Sequence, residues 1–187
     1  MNYTLKKGGH SDLHRIYPML EFEFRDYERM SELRLHQALI SGGAELLLLK
    51  DELGVENGLL IMYRQSIYGY VLAAYMLIYP TFRGEGASRA CLELLKEKYA
   101  DTQGIFLEVS DYPSAAKAVV LHDYYEREGW RDVDAGYRAG GEPGIIMHLP
   151  AKGPADMPVP AARRIVTEIY SHIVPEDRVG EYISFDK

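Results

Sequence analysis

The spacing of apolar positions changes several times along the chain, and each change marks an element. Residues 3–6 alternate as a short strand does. Leu13, Ile16, Tyr17, Leu20 and Phe24 then recur at the spacing of one helical face, with Ser11 or Asp12 placed to cap it. A second helical pattern covers residues 31–40 and stops at Gly42-Gly43. Residues 44–50 contain a run of leucines, as expected of a strand buried on both faces. Residues 51–58 are turn-rich, and 59–64 and 68–79 read as two further strands. The second of these is almost wholly apolar or aromatic, which suits the centre of a sheet, and Pro80 stops it. A helix over 86–99, a strand over 104–109 and a helix over 114–128 closed by Gly129 follow. Two final strands fall at 130–137 and 145–149. The order β-α-α-β-β-β-α-β-α-β-β predicts a mixed α/β domain rather than a regular βαβ alternation.

Beyond that pattern, Pro150, Pro154, Pro158 and Pro160 mark residues 150–160 as a linker. Ile165, Val166, Ile169 and Ile173 then recur at helical spacing. They predict an amphipathic helix whose apolar face packs on the domain or on a second subunit, which would make a homodimer. A polar tail ends the chain.

Composition narrows the function classes. The 187 residues, 47% hydrophobic and 26% charged, suit one globular domain. No apolar run is long enough to span a membrane, and the first ten residues lack the apolar stretch of a signal peptide. Cys91, the single cysteine, permits no intrachain disulfide and reads as a small core residue, so a cytoplasmic setting is expected. A net charge of −7 argues against nucleic acid as a partner. His10, His14, His36 and His172 are scattered without metal-ligand spacing, so no metal is implied. No Cys–His pairing or Gly-x-Ser-x-Gly elbow points to a covalent nucleophile.

The chemistry lies in Arg83-Gly84-Glu85-Gly86-Ala87-Ser88, between the apolar strand and a helix. Glycines let a backbone approach an anion closely, and the free amides and dipole of a helix N-terminus attract it. Phosphate binding is therefore expected. The Lys-Ser/Thr of a Walker loop is missing, and Arg89 stands where a dinucleotide fingerprint needs its last small residue.

The loop resembles the Arg/Gln-x-x-Gly-x-Gly/Ala pyrophosphate loop of the GNAT acetyltransferases. Arg83, Gly86 and Ser88 occupy its positions, with serine replacing the last small residue. Tyr125-Glu126-Arg127-Glu128-Gly129-Trp130 is similar to the Tyr-x-x-x-Gly-Phe of that family, with Trp for Phe. The opening Tyr3-Thr4-Leu5-Lys6 and the closing Ile145-Ile146-Met147-His148-Leu149 also resemble the family's terminal strands. Ala118 departs from the Asn that many members carry.

The resemblance covers residues 1–150. It implies a GNAT fold there, with 151–187 as linker and helical extension. The sheet would be mixed, of about six or seven strands flanked by about four helices. It further implies acetyl-CoA as acyl donor, no metal, and a primary amine of a small molecule or peptide as acceptor. Arg83 and the backbone of Gly84, Glu85, Gly86, Ala87 and Ser88 would hold the pyrophosphate. An amide within Leu77-Ile78-Tyr79 would polarise the thioester, and Tyr125 would protonate the departing thiolate. Glu108, at the end of the strand beside the expected cleft, is the candidate base. Phe22, Phe24, Tyr27, Tyr63 and Tyr75 are candidates for lining the acceptor pocket. The alternative is a CoA-binding sensor or scaffold of the same fold without turnover.

Overall fold

The computed structural model describes residues 2–64 and 67–186. Its elements run β1 Tyr3–Lys7, α1 His10–Glu23, α2 Glu32–Ser41, β2 Ala44–Asp51, β3 Glu56–Tyr63, β4 Tyr70–Ile78, α3 Ala87–Lys98, β5 Gly104–Ser110 and α4 Ala116–Arg127. They continue with β6 Arg131–Val133, β7 Tyr137–Ala139, β8 Glu142–Pro150, α5 Val159–Ser171, α6 Val179–Tyr182 and β9 Ile183–Phe185. The strands form one sheet in the order β1-β2-β3-β4-β5-β8-β7-β9, with β6 also on β8. The β4–β5 pair is parallel and the other pairs are antiparallel.

The leucine run of β2 explains how the layers assemble. Side chains alternate across a strand, so Leu46 and Leu48 face one side and Leu47 and Leu49 the other. The first face is covered by Leu13, Ile16 and Leu20 of α1, Leu35 of α2, and Ile165, Val166 and Ile169 of α5. Cys91, Leu92 and Leu95 of α3, with Ala118 and Tyr125 of α4, cover the second. Burial of Cys91 pushes its thiol up to about 12, so it stays protonated and inert.

Several expectations needed correcting. The sheet has nine strands among the described residues, and six α-helices flank it, more than the sequence suggested. Residues 130–137 do not make one strand: β6 and β7 are separate. The other added strand, β9, comes from the polar tail and pairs with β7, Tyr137 opposite Phe185. Helix α1 starts one turn early. Gly9 caps it, and Asp12 acts from inside, its carboxylate accepting from the Gly9 amide at 2.9 Å.

Residues 150–160 are held against the turn before β5. The amides of Ala151 and Gly153 donate to the Gln103 carbonyl, and that of Lys152 donates to Thr102. The apolar face of α5 lies within this chain's own core, so it is not available to a second copy.

His148 of β8 is buried among aromatic rings, 5.2 Å from Phe106 and 5.9 Å from Tyr70 between ring centres. A Cβ on Gly104 would sit 2.6 Å from its Nε2, so glycine there makes room for the imidazole. Among the described residues, neither ring nitrogen has a hydrogen-bond partner. Burial pushes the imidazole down to about 4, with Arg131 adding to the effect. An unfolded histidine takes up its proton near pH 6.5, which folded His148 resists until about pH 4. The stabilising difference is intact above pH 6.5 and is lost as pH falls toward 4. Between pH 7.5 and 4.5, wild-type unfolding free energy should fall by about 2 to 3 kcal/mol more than that of His148→Leu. Urea titrations at the two pH values measure this, and parallel losses would exclude His148 as the cause.

Candidate active site

Strands β4 and β5 pair over residues 70–73 against 104–107, and there the pairing ends. The cause lies on the other side of β4. Ile61 opposes Tyr75 and Met62 opposes Ala73, which leaves Ala74 as the extra residue of a bulge. A bulge bends its strand. Here the far half of β4 parts from the far half of β5, and a cavity of about 610 Å³ opens between them.

The Tyr79 amide donates to Asn57 of the β3 side at 2.9 Å. Alternation along the strand turns the backbone of Ile78 the other way, toward the gap. The Ile78 carbonyl accepts from Arg83 Nε at 3.0 Å, which agrees with that direction. Leu77 and Ile78 line the cavity. The side chain of Tyr79 is occupied elsewhere, donating to Glu56, which also receives Arg15.

After β4 the chain makes a short 3-10 turn at Pro80–Phe82 and enters the glycine loop. Gly84 and Gly86 both have φ near +84°, a region that side chains other than glycine enter at a cost. A Cβ at either would meet nothing within 4 Å, so the front of the loop is open. Gly86 caps α3, whose first amides follow at Ala87 and Ser88. Arg83 and Ser88 line the same cavity. Arg83 pairs with Glu23 at 2.5 Å, and Lys117 lies 3.8 Å from the same carboxylate. An open loop of amides beside two cations fits a phosphate group.

Helix α4 turns both Tyr124 and Tyr125 toward the cavity. Tyr124 donates to Ser88 Oγ at 3.2 Å, which ties it to the glycine loop. Tyr125 is buried against the edge of Trp130, with ring centres 6.1 Å apart. Burial, reinforced by Tyr124 and Cys91, raises its phenol, which is thus a fully protonated donor at neutral pH.

Across the gap, Glu108 lines the cavity from β5. Its Oε2 accepts from the Tyr170 hydroxyl of α5 at 3.0 Å. Burial pushes its carboxyl up to about 7; Tyr137 and Tyr170 oppose that rise and Glu28 adds to it. Phe24 and Tyr27 also line this end, and Tyr27 donates to Asp111 at 2.7 Å. Tyr75 braces the α1–α2 loop: it accepts from the Met30 amide at 2.9 Å and donates to the Glu28 carbonyl at 3.2 Å. Tyr63 is buried behind it, and Phe22 is 85% exposed, away from the cavity.

Tyr137 and Tyr170 escape a reading of the sequence. Tyr170 lies four residues after Val166, on the apolar face of α5, which was the available signal. Tyr137 carried none, because β7 is only three residues long.

The fold also gathers histidines that are far apart in sequence. His10 and His36 meet at 2.8 Å, and His122 bonds Asp132 at 2.7 Å while stacking on Tyr112. Among the described residues, His122, Glu126 and Asp132 place ligand atoms within 4.8 Å of one another.

No family model and no curated protein sequence matches the chain. Solved structures do resemble it. A protein described as a GNAT-family acetyltransferase from Bacteroides thetaiotaomicron superposes with a TM-score of 0.71 at 16% identity. It covers 91% of this chain and 97% of its own. Spermidine N-acetyltransferase from Vibrio cholerae, solved with CoA and spermine, gives a TM-score of 0.62 at 14% identity over 80% of this chain and 96% of its own. A GNAT-family protein from Desulfovibrio desulfuricans gives 0.60 at 17% identity, over 80% and 99%. The parted central strands, the glycine loop and these superpositions agree: the chain has the fold of the GNAT acetyltransferases.

Proposed function

We propose that this protein is an acyl-CoA-dependent N-acyltransferase that moves an acetyl group directly to a primary amine of a small molecule or peptide. The observation that carries this reading is a single cavity with three kinds of wall. One wall presents the open glycine loop, a second the protonated phenol of Tyr125, and a third Glu108 with a carboxyl near 7. A module that only bound CoA would have no use for a base tuned to neutral pH on the far wall. The spermidine enzyme among the similar structures acts on an amine, which supports the acceptor class.

Arg83 and the backbone at Gly84, Glu85, Gly86, Ala87 and Ser88 would hold the pyrophosphate of acetyl-CoA. The thioester supplies the acyl group and a thiolate leaving group. The amide of Ile78, turned into the gap, is placed to donate where charge develops on the acyl oxygen. Glu108 takes a proton from the acceptor ammonium, and Tyr125 gives one to the thiolate. Neither step calls for a covalent acyl-enzyme.

Three outcomes test the reading. Acetyl-CoA at millimolar concentration should raise the melting temperature, since it binds the native state alone. Gly86→Asp should abolish that shift in a folded protein. Aspartate tolerates a positive φ better than most residues, but its charge would face the pyrophosphate. An unchanged shift in the variant would remove the loop from the site.

Glu108→Gln should lower kcat by about 10²–10⁴-fold and abolish the acid limb of the rate profile, which in the wild type falls away below about pH 7. Stability should move the other way. A carboxyl raised on folding favours the native state at low pH, and that contribution is lost as pH rises from 4.5 toward 7. The glutamine variant should therefore be at least as stable as wild type at pH 8 in urea denaturation. A variant that keeps full activity would dismiss Glu108 as the base.

Tyr125→Phe should reduce kcat by about ten- to a thousandfold with little change in acetyl-CoA affinity. Tyr124→Phe should instead weaken acetyl-CoA binding, because its hydroxyl serves Ser88. The reverse pattern in kcat and Kd would reassign the donor.

A further inference from the structure

Four tyrosines surround one carboxylate in this core. Glu108 is faced by Tyr170 of α5, Tyr137 of β7, Tyr75 of β4 and Tyr63 of β3, with Glu28 of the α1–α2 loop as the like charge acting on it. Tyr75 and Tyr63 are committed elsewhere: Tyr75 holds the α1–α2 loop, and Tyr63 bonds Tyr75 at 3.5 Å. Tyr170 donates to Glu108 Oε2. That leaves two buried atoms, Glu108 Oε1 and the Tyr137 hydroxyl: the phenol faces the carboxylate and interacts with it, but neither atom has a well-formed hydrogen bond to a described residue. The two residues line the cavity together.

Such a pair is costly unless something completes it, because each atom keeps hydrogen-bonding capacity that water would have met. A carboxylate oxygen accepts, and a phenol oxygen can accept while its proton is shared with the carboxylate. The group that satisfies both is a donor with at least two N–H bonds and a positive charge. A primary ammonium has three.

We propose that Glu108 Oε1 and the Tyr137 hydroxyl form a two-point receptor for the acceptor's ammonium, and that Tyr170 is the positioning residue that holds Oε2 and leaves Oε1 to the substrate. This rests on Glu108 being the base. The ammonium donates one N–H to Oε1 and another to Tyr137. When the first N–H bond breaks, its proton forms an O–H bond on Oε1, and the electron pair stays on nitrogen as the nucleophile. Substrates are therefore amines that enter charged with at least two N–H bonds, as a primary ammonium does. A quaternary ammonium offers no N–H and misses both points. The C-terminal helix becomes part of the active site, because Tyr170 comes from it.

The hydrogen bond from Tyr170 favours the ionised carboxylate, against the burial that raises it. In full-length protein with 13C-labelled glutamate carboxyls, the Glu108 signal is assigned by its loss in Glu108→Gln and titrated by NMR. Tyr170→Phe should move its midpoint up by about one pH unit, the worth of one hydrogen bond to a charge. If Tyr170→Phe does not fold, 3-fluorotyrosine at position 170 serves instead. It is a stronger donor of the same shape, and it should move the midpoint down. A midpoint that stays in place in the folded protein overturns the role of Tyr170.

The receptor itself is read by kinetics with acetyl-CoA and spermidine, or with n-butylamine if spermidine is not acetylated. Tyr137→Phe should raise KM for the amine by about tenfold, with KM for acetyl-CoA unchanged. The trimethylammonium analogue of the same amine should not compete. An unchanged amine KM, or competition by the quaternary analogue as strong as by the amine, overturns the receptor. Loss of the acid limb in Glu108→Gln with no effect of Tyr137→Phe or Tyr170→Phe would sink this proposal and leave the base in place. A wild-type acid limb in Glu108→Gln would sink the base itself.

Discussion

The parting of β4 from β5 is the constraint from which the site follows. Two parallel strands normally satisfy each other's amides and carbonyls along their length. Here they do so for four residues and then diverge, because the bulge at Ala74 redirects β4. Backbone groups beyond that point lie inside the protein without a strand beside them, and buried groups of that kind need partners. Arg83 takes the Ile78 carbonyl from one side. The remaining edge is suited to a ligand with an extended polar spine, which is how the pantetheine arm of CoA would lie under the function proposed.

A gap in the middle of a sheet is tolerable only if both faces are well covered, and this protein meets that requirement asymmetrically. Helices α3 and α4 cover one face and also supply the glycine loop, Tyr124 and Tyr125. The other face needs three helices, α1, α2 and α5, and the last of these comes from beyond the segment that resembles the family. Without α5, β4 would lose part of its cover, Tyr63 would lose the ring of Tyr170 set edge-on against it, and Glu108 would lose its bonded tyrosine. Packing and chemistry thus share residues, which makes the C-terminal segment integral to the domain in both respects.

The cavity lining carries charge of both signs, partly paired. Arg83 and Lys117 share Glu23 near the start of α3, and Arg25 lies 3.5 Å from Asp111. Glu108 instead has Glu28 as a neighbouring like charge. The net charge of −7 does not reveal these pairings, since it counts charges without regard to place.

Local chemistry determined much of the outcome. The leucines of residues 46–49 had to alternate across a sheet, Gly84 and Gly86 had to take positive φ before a helix, and Val166 and Ile169 had to face a core. Those properties depend on neighbours a few residues away, so the loop, most of the helices and the central strands could be read from order and spacing. The position of Glu108 beside the cleft could be read from its place at the end of a strand. What surrounds it could not. Its partners come from β7 and α5, 29 and 62 residues further along the chain, and the three-residue β9 exists because β7 offers it an edge. The raised carboxyl of Glu108 and the depressed imidazole of His148 arise from burial, which is a property of the assembled layers. A sequence carries the residue types that a site can use, but desolvation and long-range pairing exist only once the sheet has closed around them.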